Sequence, residues 1–134
     1  MTDARAHHDR YQYMRGLYDA YPPALPAHRD WEIVVGFYAA LHLVQAYFCT
    51  KSLRFQAARH EDRIAAIRRS PELNKSHQFV VAYKTLQDVS EQVRYDPGFK
   101  VADTHLQTAK ENLETVERML QAKVNRVLAA HHSP

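Results

Sequence analysis

The sequence predicts an all-α bundle of four to five helices with two long core helices, and three observations carry that prediction. The 134 residues include only three glycines, few against an average near ~7%, whereas a β-rich fold needs glycine in its turns. The six prolines, at 22, 23, 26, 71, 97 and 134, fall between periodic segments and act as separators. Within those segments the apolar residues recur at spacings of three and four, the period of a helix face. The length suits one domain, taken as residues 1–134, that buries its own core.

The first helix is expected over about Asp3 to Ala20, where Tyr11, Met14 and Tyr18 share a face. The second is expected from about Asp30, as N-cap, to Lys51. It is apolar nearly all round and must be covered on most sides. Gly36 within it is a close-packing point. Its most apolar stretch, Val34 to Cys49, carries His42 and Gln45 and is shorter than the ~20 residues that cross a bilayer. No membrane association is therefore expected. A short third helix is expected over Glu61 to Arg69, ending before Pro71. The fourth, Ser76 to Arg94, has a core stripe of Phe79, Ala82, Leu86, Val89 and Val93, with Tyr83, Ser90 and Arg94 at its edge. Asp96-Pro97-Gly98 then signals a turn.

The fifth helix is expected over Asp103 to Ala130, with acids early and bases late, as the helix dipole favours. Leu106, Leu113, Leu120 and Val127 repeat every seven residues. At 1.5 Å per residue this helix is roughly 40 Å long, which suggests an elongated bundle with an overhanging stripe that invites dimerisation.

Composition excludes several function classes. The glycines stand too far apart for a phosphate-binding loop. The lone Cys49 excludes a disulfide framework and a cysteine-rich zinc module, reads as a structural thiol, and fits a reducing cytosol. The N-terminal residues lack the apolar run of a signal peptide. Histidine pairs at 7–8 and 131–132 lie near the termini, no metal-ligand spacing such as H-E-x-x-H occurs, and neither a metal nor a cofactor is expected.

Charge is uneven. Lys51, Arg54, Arg59, Arg63, Arg68 and Arg69 face only Glu61 and Asp62 in the window from 51 to 70, a local excess of four in a chain of net charge +3. Arginine chelates phosphate better than lysine. The window reads either as an anion or RNA contact or as a solvated helix face. His60 and Arg63 share a face if the third helix starts early. His42 reads as a satisfied core histidine or as a polar group facing a cleft.

Several blocks resemble HEPN domains (higher eukaryote and prokaryote nucleotide-binding). They are Asp30-Trp31 through Gly36-Phe37-Tyr38-Ala39-Ala40-Leu41-His42 with Ala46-Tyr47, then His60-x-x-Arg63, then Tyr83-x-x-Leu86-x-x-x-Ser90-x-x-x-Arg94-Tyr95. The resemblance runs from about Tyr11 to Val124. It implies a helical bundle that dimerises and builds a cleft between protomers. It also implies an RNA- or nucleotide-associated role in toxin–antitoxin or antiphage systems, with a nucleotidyltransferase or antitoxin as partner.

Active members are metal-independent ribonucleases using Arg, four to six intervening residues, then His. Histidine there serves as general acid or base and arginine stabilises the phosphorane-like charge. Arg94 occupies the arginine place, but Phe99, Lys100 and Val101 stand where histidine is required. The next histidine is His105, so the motif is broken. Formal pairs elsewhere, Arg54 with His60 and Arg126 with His131 or His132, are no more than chance supplies. The expectation is thus a cytoplasmic dimer that binds RNA or nucleotide through Arg54, Arg59, His60, Arg63, Tyr83, Arg94 and Tyr95. His60 and Arg94 are its candidate catalytic residues. The alternative is a non-catalytic helical module for protein–protein interaction.

Overall fold

The computed structural model of the chain describes residues 2–20, 26–52, 55, 59–75 and 77–130. Five helices follow in order: α1 (Thr2–Ala20), α2 (Pro26–Lys51), α3 (His60–Arg69), α4 (Gln78–Tyr95) and α5 (Asp103–Ala130). Among the described residues there is no strand. The all-α reading and the two long helices agree with the sequence expectation.

The core is organised around α2, which packs against α1, α5 and α4. Phe37, Ala39, Ala40, Leu43, Val44 and Ala46 are wholly buried, which explains why this helix has no polar side. Its start differs from expectation. α2 opens at Pro26, where a missing backbone N–H is harmless, so Asp30 lies inside the helix and is not its N-cap. The helix is correspondingly longer than the apolar run suggested. His28–Lys51 is long and apolar enough to cross a membrane by length and composition, and 83% of its most apolar window is buried inside the fold.

Helix α4 carries Phe79, Ala82 and Leu86 into the core, but Tyr83 and Ser90 are as fully buried as these. They therefore do not sit at an exposed edge. Helix α5 is held to α2 and α4 by Ala109, Leu113, Val116, Leu120, Val124 and Leu128. Val127, expected on this seam, is only partly covered, and Leu128 takes the place. An unsupercoiled helix drifts ~20° per heptad, so after three heptads the inward position moves on by one residue. The seam is consumed inside the chain, and it is not an overhanging stripe.

The helix ends have local causes. The Ala102 N–H donates to Nδ1 of His105 at 2.9 Å, a capping-box arrangement with histidine at the third helical position. The Gly98 N–H donates to Oδ1 of Asp96 at 3.0 Å, the Asx turn that separates α4 from α5. Helix α3 has Glu61 and Asp62 in its first turn and Arg68 and Arg69 in its last, the polarity its dipole favours.

Two helix-interior glycines have opposite surroundings. A Cβ at Gly16 would meet nothing within 4 Å, whereas one at Gly36 would stand 3.1 Å from Cε2 of Tyr18. Gly16→Ala should raise unfolding free energy by ~0.5–1 kcal/mol through helix propensity alone. Gly36→Ala should fall short of that gain, because the buried Tyr18 ring must move. Urea melts of both variants test this; equal gains would show that α1 and α2 do not approach as closely as described.

Candidate functional site

Because α3 begins at His60, residues 60 and 63 fall on one face, one turn apart. Nη2 of Arg63 donates to Nδ1 of His60 at 2.8 Å. Arg63 is 5% exposed, so this arginine is part of the core, and the solvated-face reading fails for it. Phe37 of α2 forms the floor. Its ring centroid lies 5.4 Å from those of His60 and Tyr38 and 5.8 Å from that of Tyr83. Burial pushes the Tyr83 phenol up to about 12, while the Arg63 charge beside it pulls the other way.

Arg94, at the end of α4, reaches the same region. Its Nη1 donates to the Tyr38 hydroxyl at 3.0 Å and its Nε to the Ser90 carbonyl at 3.3 Å. The guanidinium also lies over the rings of Tyr38 and Tyr95, 5.6 and 5.1 Å from their centroids. Tyr95 itself is 74% exposed. Tyr83, Gln87, Ser90 and Arg94, spaced four, three and four, form a polar seam on α4. Gln87 Oε1, Ser90 Oγ and Arg94 Nη2 are buried there with no hydrogen-bond partner among the described residues.

The hydrogen bond to His60 determines what that ring can do. A guanidinium has only donors, so Nδ1 of His60 must accept and the neutral ring carries its proton on Nε2. Burial, then the charges of Arg63 and Arg94, hold the His60 pKa below its usual range, with Glu91 opposing. His60 is thus a neutral imidazole whose lone pair is already engaged. It can donate a hydrogen bond, but acting as a base requires it to leave Arg63.

A histidine pair lies beside this cluster. Nδ1 of His7 on α1 and Nδ1 of His42 on α2 are 3.0 Å apart, with the rings stacked at 5.2 Å. One nitrogen donates and the other accepts. Burial, then His7, Arg10 and Arg63, depress His42 to about 4. His42 therefore faces a polar partner, and His7 belongs to a helix packed on the core rather than to a frayed end. Sequence reasoning missed this pair. The available signal was spacing: the buried face of α1 runs Ala4, His8, Tyr11, Tyr18, with His7, Met14 and Leu17 beside it.

Among the described residues, the basic window does not form one patch. Lys51 is bound to Glu72 at 3.0 Å, which also holds Lys123 at 3.1 Å. Arg59 is exposed and paired with Glu61 at 3.0 Å and Asp62 at 3.6 Å. Arg68 and Arg69 are exposed at the end of α3 with no ion pair among the described residues. Arg54 lies outside the described residues, as do His131 and His132. What does form is an open groove between α3 and α4, in which Arg59, His60, Arg68 and Lys84 face Glu61 and Glu91.

His105, the first histidine after Arg94, is engaged by its own helix. Its Nδ1 caps α5 and its ring packs against Phe99 at 5.0 Å. Cys49 is buried and burial raises its thiol pKa, the state of an inert structural thiol. No group of three or more histidine, cysteine or acidic side chains among the described residues could hold a metal ion.

These features define a helical bundle with an arginine–histidine–tyrosine cluster under a mixed-charge groove. The chain matches no family model, no curated protein and no solved structure.

The depressed histidines have a consequence for stability. His42 unfolds to a pKa of ~6.5, so as pH falls below that value the unfolded chain takes up a proton that the folded chain refuses until about 4. Stability conferred by the neutral ring is complete above ~6.5 and is lost between there and about 4. Discounted for the ring's partial exposure, this should amount to ~1–2 kcal/mol. In His42→Gln the fall in stability across that window should be correspondingly shallower. Chemical denaturation at several pH values checks it, and identical slopes would exclude His42 as the titrating group.

Proposed function

We propose that the protein is a HEPN-like RNA- or nucleotide-associated protein that contacts phosphates along the α3–α4 groove. The observation that carries the reading is the placement of His60 and Arg63 beside Arg94, with Arg68 and Arg69 exposed at the end of the same helix. Exposed arginines without carboxylate partners are available to chelate phosphate oxygens. His60 offers a neutral N–H donor, and Tyr95, backed by the Arg94 guanidinium, offers an exposed aromatic face.

The same geometry favours binding over cleavage. A metal-independent ribonuclease needs a base at the 2′-hydroxyl and an acid at the leaving oxygen. The His60 lone pair is engaged by Arg63, Arg94 is held by Tyr38 and Ser90, and no histidine follows Arg94 at the required spacing. Catalysis by this pair would require both arginines to shift.

RNA binding should be measured with chelator present over a range of salt. Wild type should bind with affinity that falls steeply as salt rises. Arg68→Ala and Arg69→Ala should each reduce the salt slope by ~1 and weaken binding across sequences alike. Intact RNA should be recovered. Cleavage that disappears in His60→Ala would overturn the binding-only reading, and no binding at low salt would overturn the RNA reading altogether.

A homodimer belongs to the same proposal. Since α5 spends its seam internally, the contact must use another surface, and Tyr13, Trp31 and Tyr95, 55%, 59% and 74% exposed, are the aromatic residues to examine. Those residues also favour the second reading, a helical protein-interaction module, because exposed aromatics are enriched at interfaces. Light scattering at micromolar concentration should give twice the chain mass; a monomer would defeat the dimer.

A further inference from the structure

A pocket of about 210 Å³ opens where α2, α4 and α5 meet. Ile33, Leu86 and Ala109, all buried, form its base. Thr85 on α4 and Thr108 on α5 stand on facing walls, and His105 lines it from the first turn of α5. No lysine, arginine, aspartate or glutamate lines it among the described residues. Protein interiors are close-packed and voids larger than a water are few, so a partly enclosed apolar space of this size stands apart from the open groove beside α3.

The chemistry of the wall narrows the ligand. A dry cavity of ~150 Å³ accepts a benzene ring, so this space takes one ring or two small ones. The absence of a charged lining residue disfavours an ion, because an unpaired charge in apolar surroundings is costly. The threonine hydroxyls both donate and accept. His105 is more specific. Its Nδ1 accepts the Ala102 N–H, so in the neutral ring the proton sits on Nε2, and the imidazole is held as a donor by a contact the helix needs anyway.

We infer that this pocket is a binding site for a small uncharged aromatic molecule of one or two rings that carries a hydrogen-bond acceptor, such as a phenol. The aromatic body covers Ile33, Leu86 and Ala109, and the acceptor meets the polar rim. The inference does not depend on RNA binding, since the two sites use different side chains of α4.

The test is a titration with p-cresol followed by amide shifts, with benzoate as the charged counterpart of similar size. We expect saturable p-cresol binding, with a dissociation constant of ~0.1–1 mM for so few atoms. The shifted amides should cluster in residues 85–89 and 104–112, and benzoate should bind at least tenfold more weakly. Thr108 is exposed, so Thr108→Trp should close the pocket and abolish binding while the thermal midpoint stays near that of wild type. If that variant melts early, Thr85→Trp closes the pocket from the opposite wall and serves the same purpose. The inference is overturned by non-saturable or scattered shifts, by benzoate binding as well as p-cresol, or by undiminished binding in a folded tryptophan variant.

Discussion

The burial of α2 is the constraint on which the other elements depend. A helix with Val34, Val35, Phe37 and Leu43 buried around its circumference has no face that water tolerates. Three other long helices surround it, and each contributes the stripe its own sequence supplies: tyrosines from α1, the phenylalanine–leucine stripe from α4, and the leucine–valine seam from α5. Hydrophobic burial has no direction, so it brings these helices together without specifying the finer contacts. Direction comes from the polar groups drawn in with them. Tyr11 and Arg15 of α1 both bond Glu117 of α5, and His7 meets His42.

The arginine–histidine cluster follows from how α3 is attached. This short helix packs on α4 and turns Arg63, Ile64, Ala66 and Ile67 inward. Placing a guanidinium among aromatic rings is tolerable only when its donors find acceptors, and the Nδ1 of His60 is one. That solution has a chemical side effect. His60, one of the candidate residues read from the sequence, is locked into the tautomer that donates from Nε2. The Tyr38 hydroxyl and the Ser90 carbonyl similarly hold Arg94. The one lone pair that the neutral His60 ring could offer to a proton is thus the one that accepts from Arg63.

Local excess charge proved a poor guide to the surface because ion pairs form across the fold. Lys51 is adjacent in sequence to the arginines, yet it shares Glu72 with Lys123 from α5. Arg59, just before α3, is paired with Glu61 and Asp62 of that helix's first turn. Among the described residues of the window, only Arg68 and Arg69 keep the exposed, unpaired character that composition suggested for the whole. Exposed ion pairs contribute little to stability, but they redistribute charge enough to break up a patch.

The helical class, the five segments and most core positions were legible in the sequence, because helix periodicity and proline breaks are local properties of the chain. Boundaries failed where local signals competed: Asp30 resembles an N-cap, but the helix runs back to Pro26. The heptad on α5 pointed to Val127, while a straight helix turns Leu128 inward. His60 beside Arg63 could be read from i, i+3 spacing. Their approach to Tyr38, Tyr83 and Arg94, the His7–His42 pair and the pocket at His105 could not, since each joins residues from different helices. Such contacts depend on how helices cross and which side chains fill the space between them. That information resides in no single segment, and only the tertiary structure decided it.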